Sequence, residues 1–127
     1  MSTTTVEFDL SPAQVEELVK PARRGPIGNL ILRMAAKAFE AICVRLAGPT
    51  SIEVSEAGIR VSKAGVTQEF GWSVMRHVSE RPLVWAFTLA PTGMHIIPKS
   101  AVAADEEPAL SAQLSEWAGS KYKLRKE

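Results

Sequence analysis

Between Ser51 and Ile97 the hydrophobic period is two, and turn residues repeatedly cut the runs short. Ile52 and Val54 share one face of the first run, and Glu56-Ala57-Gly58 turns the chain into Ile59-Arg60-Val61-Ser62. Lys63-Ala64-Gly65 turns it again into Val66–Trp72, where Val66, Phe70 and Trp72 share a face with Gln68 as the polar exception. Alternation of this kind, punctuated by glycine, specifies short strands of a small antiparallel sheet. Leu83–Leu89 carries bulky side chains at Leu83, Trp85, Phe87 and Leu89 and smaller ones between them. Such a strand is expected to be buried on its bulky side and covered on the other. Pro91-Thr92-Gly93 turns into Met94–Ile97, and Pro98 ends that strand or marks it as an edge.

Helical signals flank this meander. Val6–Leu10 reads as a half-buried strand, after which Ser11-Pro12-Ala13-Gln14 has the form of a capping box. Val15, Leu18 and Val19 give the helix that follows an apolar stripe. A long central helix is expected over 28–47, with Ile31, Met34, Ala35, Ala38, Ile42 and Leu46 as its core seam. Arg33, Lys37, Glu40 and Arg45 disfavour a membrane span, since each charge at mid-bilayer costs about 2.5–3.5 kcal/mol. Ser73 is read as the cap of a single helical turn through Met75 and Arg76. Asp105 is read as the cap of a last helix over 105–119, with Leu110, Leu114 and Trp117 against the sheet. The 120–127 tail reads as basic and solvated. Trp72 and Trp85 are expected to pack with Trp117 beneath the last helix.

The expected fold is therefore one α+β domain over 1–127: strand plus helix at 1–20, central helix at 28–47, meander at 51–98, and a C-terminal capping helix. Its antiparallel sheet should have about five to six strands.

At this point the chain resembles the YcxB-like family of bacterial proteins. The residues that carry the resemblance are Gly58-Ile59, Trp72-Ser73 and Ile96-Ile97-Pro98-Lys99, with Val6–Val19 similar to the family's N-terminal strand and helix. The resemblance implies a sheet-plus-helix module related to pleckstrin-homology-like domains and implies no activity. Family members usually carry two membrane-spanning helices in the middle. The single charged helix at 28–47 would make this chain a shortened, soluble relative.

The residues offer little reactive chemistry. His77 and His95 are the two histidines; His77 is expected to be exposed on a turn, and His95 to lie on the less buried side of its strand. Neither has neighbours at metal-ligand spacing, and no metal or other cofactor is expected. Cys43, between Ile42 and Val44, is expected to behave as a small buried apolar residue with a raised pKa. One cysteine makes no internal disulfide and fits a reducing, cytoplasmic setting, and the polar 1–9 segment does not read as an export leader. A net charge of +1 gives no field to gather nucleic acid. Arg23, Arg24, Lys63, Arg76, Arg81 and Lys99 read as a scatter of solvated charges.

The function expected is a non-catalytic protein-binding module. In its concrete form it is an immunity-type protein that blocks a bacterial toxin, with Glu53, Glu56, Glu69 and Glu80 as candidate contacts to a basic target. The alternative is a membrane-surface module held by helix 28–47 and basic residues.

Overall fold

The computed structural model describes residues 3–19, 36–89 and 93–124. Its elements, in chain order, are β1 (Thr4–Leu10), α1 (Pro12–Val19), α2 (Ala36–Leu46), β2 (Gly48–Ser55), β3 (Gly58–Lys63), β4 (Val66–Gly71), β5 (Met75–Glu80), β6 (Val84–Leu89), β7 (Met94–Pro98), α3 (Glu107–Ala118) and β8 (Tyr122–Leu124). Short 3-10 turns at Trp72–Val74, Lys99–Ala101 and Gly119–Lys121 join them. The α+β class is as expected. The meander, however, forms two four-stranded sheets, ordered β1-β2-β3-β4 and β7-β6-β5-β8, in place of one sheet of five to six strands.

Two strands escaped the sequence reading, each for a physical reason. The segment read as a helical turn at 73–76 enters β5 at Met75. Met75 and Val78 are three residues apart, a helical spacing, yet both are buried. An irregularity between Met75 and His77 puts the β5–β6 register out of step there, and one extra residue restores both side chains to one face. His77 consequently pairs with Thr88 within β5 and is half-buried, not exposed on a turn. Within the tail read as solvated, Tyr122–Leu124 pairs parallel to β5. Three residues are too few to show a period.

The capping box of α1 is realised in both directions. The Ser11 amide donates to Gln14 Oε1 at 2.8 Å, and the Gln14 amide donates to Ser11 Oγ at 3.2 Å. Within the expected 28–47 helix the structure describes Ala36–Leu46, and Ile31, Met34, Ala35 and the connector at 23–26 lie outside the described residues. The last helix begins at Glu107, with Glu106 at its cap and no side-chain bond, so Asp105 belongs to the preceding turn and does not cap.

The inner faces of the two sheets share one core. Val6, Ile52, Val54, Ile59 and Val61 meet Met75, Val78, Trp85, Phe87 and Ile97, and Leu110, Leu114 and Ala118 of α3 close it. Full burial of each large side chain here contributes about 1.5–3 kcal/mol. A second core lies on the far side of β6 and β7, where Ala86 and Ile96 meet Val15, Cys43 and Leu46. β6 is thus covered on both faces, as its bulky-and-small alternation predicted; only Leu83, just ahead of it, is exposed. Trp85 is fully buried and donates Nε1–H to Ser111 Oγ at 3.1 Å. Trp72 stacks at a tilt on Trp117, 6.1 Å between ring centres, and donates to the Ser55 carbonyl.

Candidate binding site

The inward face of the first sheet is apolar over most of its area and polar at one corner. Register sets Val6, Ile52, Val61 and Gln68 in one row, and Phe8, Thr50, Lys63 and Val66 in the next. Val6, Ile52 and Val61 are buried beneath the second sheet, but Gln68 is exposed. In the second row Phe8, Thr50 and Lys63 are half-buried and Val66 is 60% exposed. Cover therefore thins toward β4, and the two sheets part there.

The gap is a cavity of about 270 Å3. Phe8, Ile52, Val61, Leu46 and Ile96 form its apolar floor, and Arg45, Lys63, Gln68 and His95 supply polar groups at its walls. His95 shares the inner face of β7 with the buried Ile97, which corrects its expected place on the less buried side. Its ring packs on Phe70 of β4 at 5.3 Å, bridging the two sheets. Gln68, the polar exception noted in the sequence, ends the row of Val6, Ile52 and Val61, and His95 shares its strand face with the apolar Ile97. That break in pattern is the sequence signal of the cavity.

Electrostatics at this corner is one-sided. Lys63 Nζ donates to the Arg45 carbonyl at the end of α2, a favourable place for cations because the last carbonyls of a helix are unpaired and partially negative. Burial holds the Lys63 ammonium below the usual lysine value. Burial, and after it the charges of Lys63 and Arg45, hold His95 below the usual histidine value and so favour its neutral ring. No carboxylate lies among the lining residues.

The four acidic candidates are not gathered into one patch. Glu53 and Glu69 flank Arg60 across β2, β3 and β4 on the outer face: Arg60 Nη2 lies 2.6 Å from Glu69 and Nη1 3.9 Å from Glu53. A shallow groove runs along this row, and Glu56 stands exposed at the nearby β2–β3 turn. Glu80 sits on the other sheet in a bonded network. Lys99 Nζ donates to its Oε2 at 2.9 Å and the Tyr122 hydroxyl donates to its Oε1. Burial pushes the Glu80 carboxyl up, but bonds from Tyr122, Lys99 and Ser111 outweigh it and hold the group below its ordinary value. Lys99 also stands over the Trp85 ring at 5.3 Å. Glu80 therefore fastens β8 and α3 to β5. Cys43 is buried in the second core, its thiol pushed up by burial and by Glu16 and Glu40.

Against known proteins, residues 54–114 match the family model of YcxB-like proteins. In this segment the chain resembles the YcxB-like family. The segment runs from the end of β2 through β7 into α3, and so includes Lys63, Gln68 and His95, while β1, α1, α2 and β8 fall outside it. Gly58-Ile59, Trp72-Ser73 and Ile96-Ile97-Pro98-Lys99 all lie within the matched span. No curated protein matches the chain. Among the described residues no helix is long and apolar enough to cross a membrane.

Proposed function

We propose that the chain is a non-catalytic protein-binding module that captures an extended segment of its partner on the free edge of β4. The observation that carries this reading is the state of β4 itself. It ends its sheet, pairs only with β3 among the described residues, and is exposed on both faces from Val66 to Glu69. It has neither proline nor lysine, the residues that usually blunt an open edge. An incoming strand would satisfy the outward amides and carbonyls, and alternate side chains would give specificity. In the narrower, immunity-type form, the partner is a bacterial toxin. Glu69, with Glu53 and Glu56 beyond it, then faces a basic target surface.

The β3–β4 loop has two residues, Ala64 at φ 51° and Gly65 at φ 80°. In such a hairpin Lys63 and Val66 exchange ladder bonds, so the Thr67 backbone points outward. Thr67→Pro deletes one outward donor and no ladder bond, and Thr67→Val keeps the edge intact. Affinity purification from the native cell should recover a stoichiometric protein with wild type and Thr67→Val, and lose it with Thr67→Pro. Absence of any such protein with wild type, or its retention by a folded Thr67→Pro, rejects strand capture.

A further inference from the structure

We infer that the open corner between the sheets binds a small amphipathic carboxylate, its anionic end at Lys63 and Arg45 and its apolar body over Phe8, Ile52 and Ile96. The inference goes beyond strand capture at β4 and does not depend on it.

Size, lining and charge each restrict the occupant. An apolar cavity of about 150 Å3 holds benzene, and at roughly 30 Å3 per water-sized group the present cavity holds about nine such groups. That suits a chain of about eight to ten carbons or an aromatic acid. The floor is apolar, so a compact polar ion would leave it unfilled. The walls carry Arg45 and Lys63 and, among the described residues, no acidic side chain, so a cationic amphiphile is repelled. An uncharged one would leave the Lys63 ammonium unmatched. That ammonium has three donors, of which the Arg45 carbonyl takes one, and no carboxylate among the described residues bonds to it. A half-buried ammonium short of an anion is costly, and a ligand carboxylate beside it removes that cost. Gln68 stands at the same wall, where its side-chain amide can donate a further hydrogen bond to the ligand head.

Calorimetric titration of the full chain with decanoate, decanol, decyltrimethylammonium and inorganic phosphate, all below micelle-forming concentrations, tests the assignment. Decanoate should bind at least tenfold more tightly than decanol, and the other two should give no heat. Lys63→Met and Arg45→Gln should each weaken decanoate at least tenfold and leave decanol unchanged, while Lys63→Arg should restore decanoate. Lys63 also bonds the end of α2, so thermal unfolding accompanies each variant; if Lys63→Met does not fold, the exposed Arg45→Gln decides. Equal affinity for decanoate and decanol, phosphate binding as tightly as decanoate, no decanoate binding, or a folded variant with wild-type affinity overturns the site. Thr67→Pro should retain decanoate, so loss of strand capture and loss of this site are separate outcomes.

Discussion

Gly58→Ala is the sharpest structural test of how β3 and β4 are held together at the end of the hairpin away from the cavity. Gly58 opens β3 at φ +140°, opposite Ser55 on β2 and Gly71 on β4. A methyl group there would clash with the Phe70 carbonyl oxygen, far inside van der Waals contact distance, and would lie 2.8 Å from Gly71 Cα. Both obstacles are backbone and cannot rotate away, so the variant must either twist Gly58 or part β3 from β4. Holding alanine in a glycine-only backbone region costs about 1–3 kcal/mol. Loss of one or two ladder bonds adds about 1 kcal/mol each. The expected loss is therefore about 2–5 kcal/mol, a large part of the roughly 5–15 kcal/mol available to a domain. Gly65→Ala is the matched control. Gly65 also has positive φ, +80°, but its added methyl meets nothing within 4 Å, so only a left-handed penalty of about 1–2 kcal/mol applies. Urea unfolding followed by tryptophan fluorescence measures both, since Trp72 and Trp85 lie in and beside the shared core. If Gly58→Ala costs no more than Gly65→Ala, the close β3–β4 approach at Gly58 is not what the strand pair requires.

Three further expectations concern titration and access. Glu80 has a folded pKa below its unfolded one, so its share of stability is present above the unfolded carboxylate range and drains away as pH falls through the folded value; acid unfolding of Glu80→Gln should be shallower in that window, and an unchanged profile would show that the Lys99 and Tyr122 bonds add nothing. His95 has a depressed pKa, so its contribution is full above the unfolded histidine value and lost as pH falls below it; NMR titration should place its midpoint below about 6.5, and a midpoint above that would contradict the burial and the two nearby cations. Cys43 should react with an aromatic disulfide at least tenfold more slowly in the folded protein than in denaturant, and equal rates would show that α2 does not cover it.

Elements with local signals were legible in the residues. The Ser11–Gln14 box, the turns at Gly58 and Gly65, and the two-sided burial of β6 follow from side-chain chemistry over a few positions, and all are present. The YcxB-like segment was legible for the same reason, its phrases being turn and strand residues in fixed order. β5 was missed because its irregular register turns a strand into an apparent helical spacing, and β8 because three residues joined by Tyr122 to Glu80 carry no pattern of their own. The candidate site was half visible. Gln68 stood out as a polar break, but nothing in the linear order says that it lies with Lys63 and His95 around one opening.

The residues by themselves determined where most of the strands turn, which side of those strands is apolar, and that the class is α+β. Tertiary structure alone decided that the described strands divide into two sheets and that these sheets part beside β4. The reason is physical. Alternation fixes the face of a strand through contacts one or two positions away, whereas the spacing of two sheets depends on which side chains, from positions tens of residues apart, fill the volume between them.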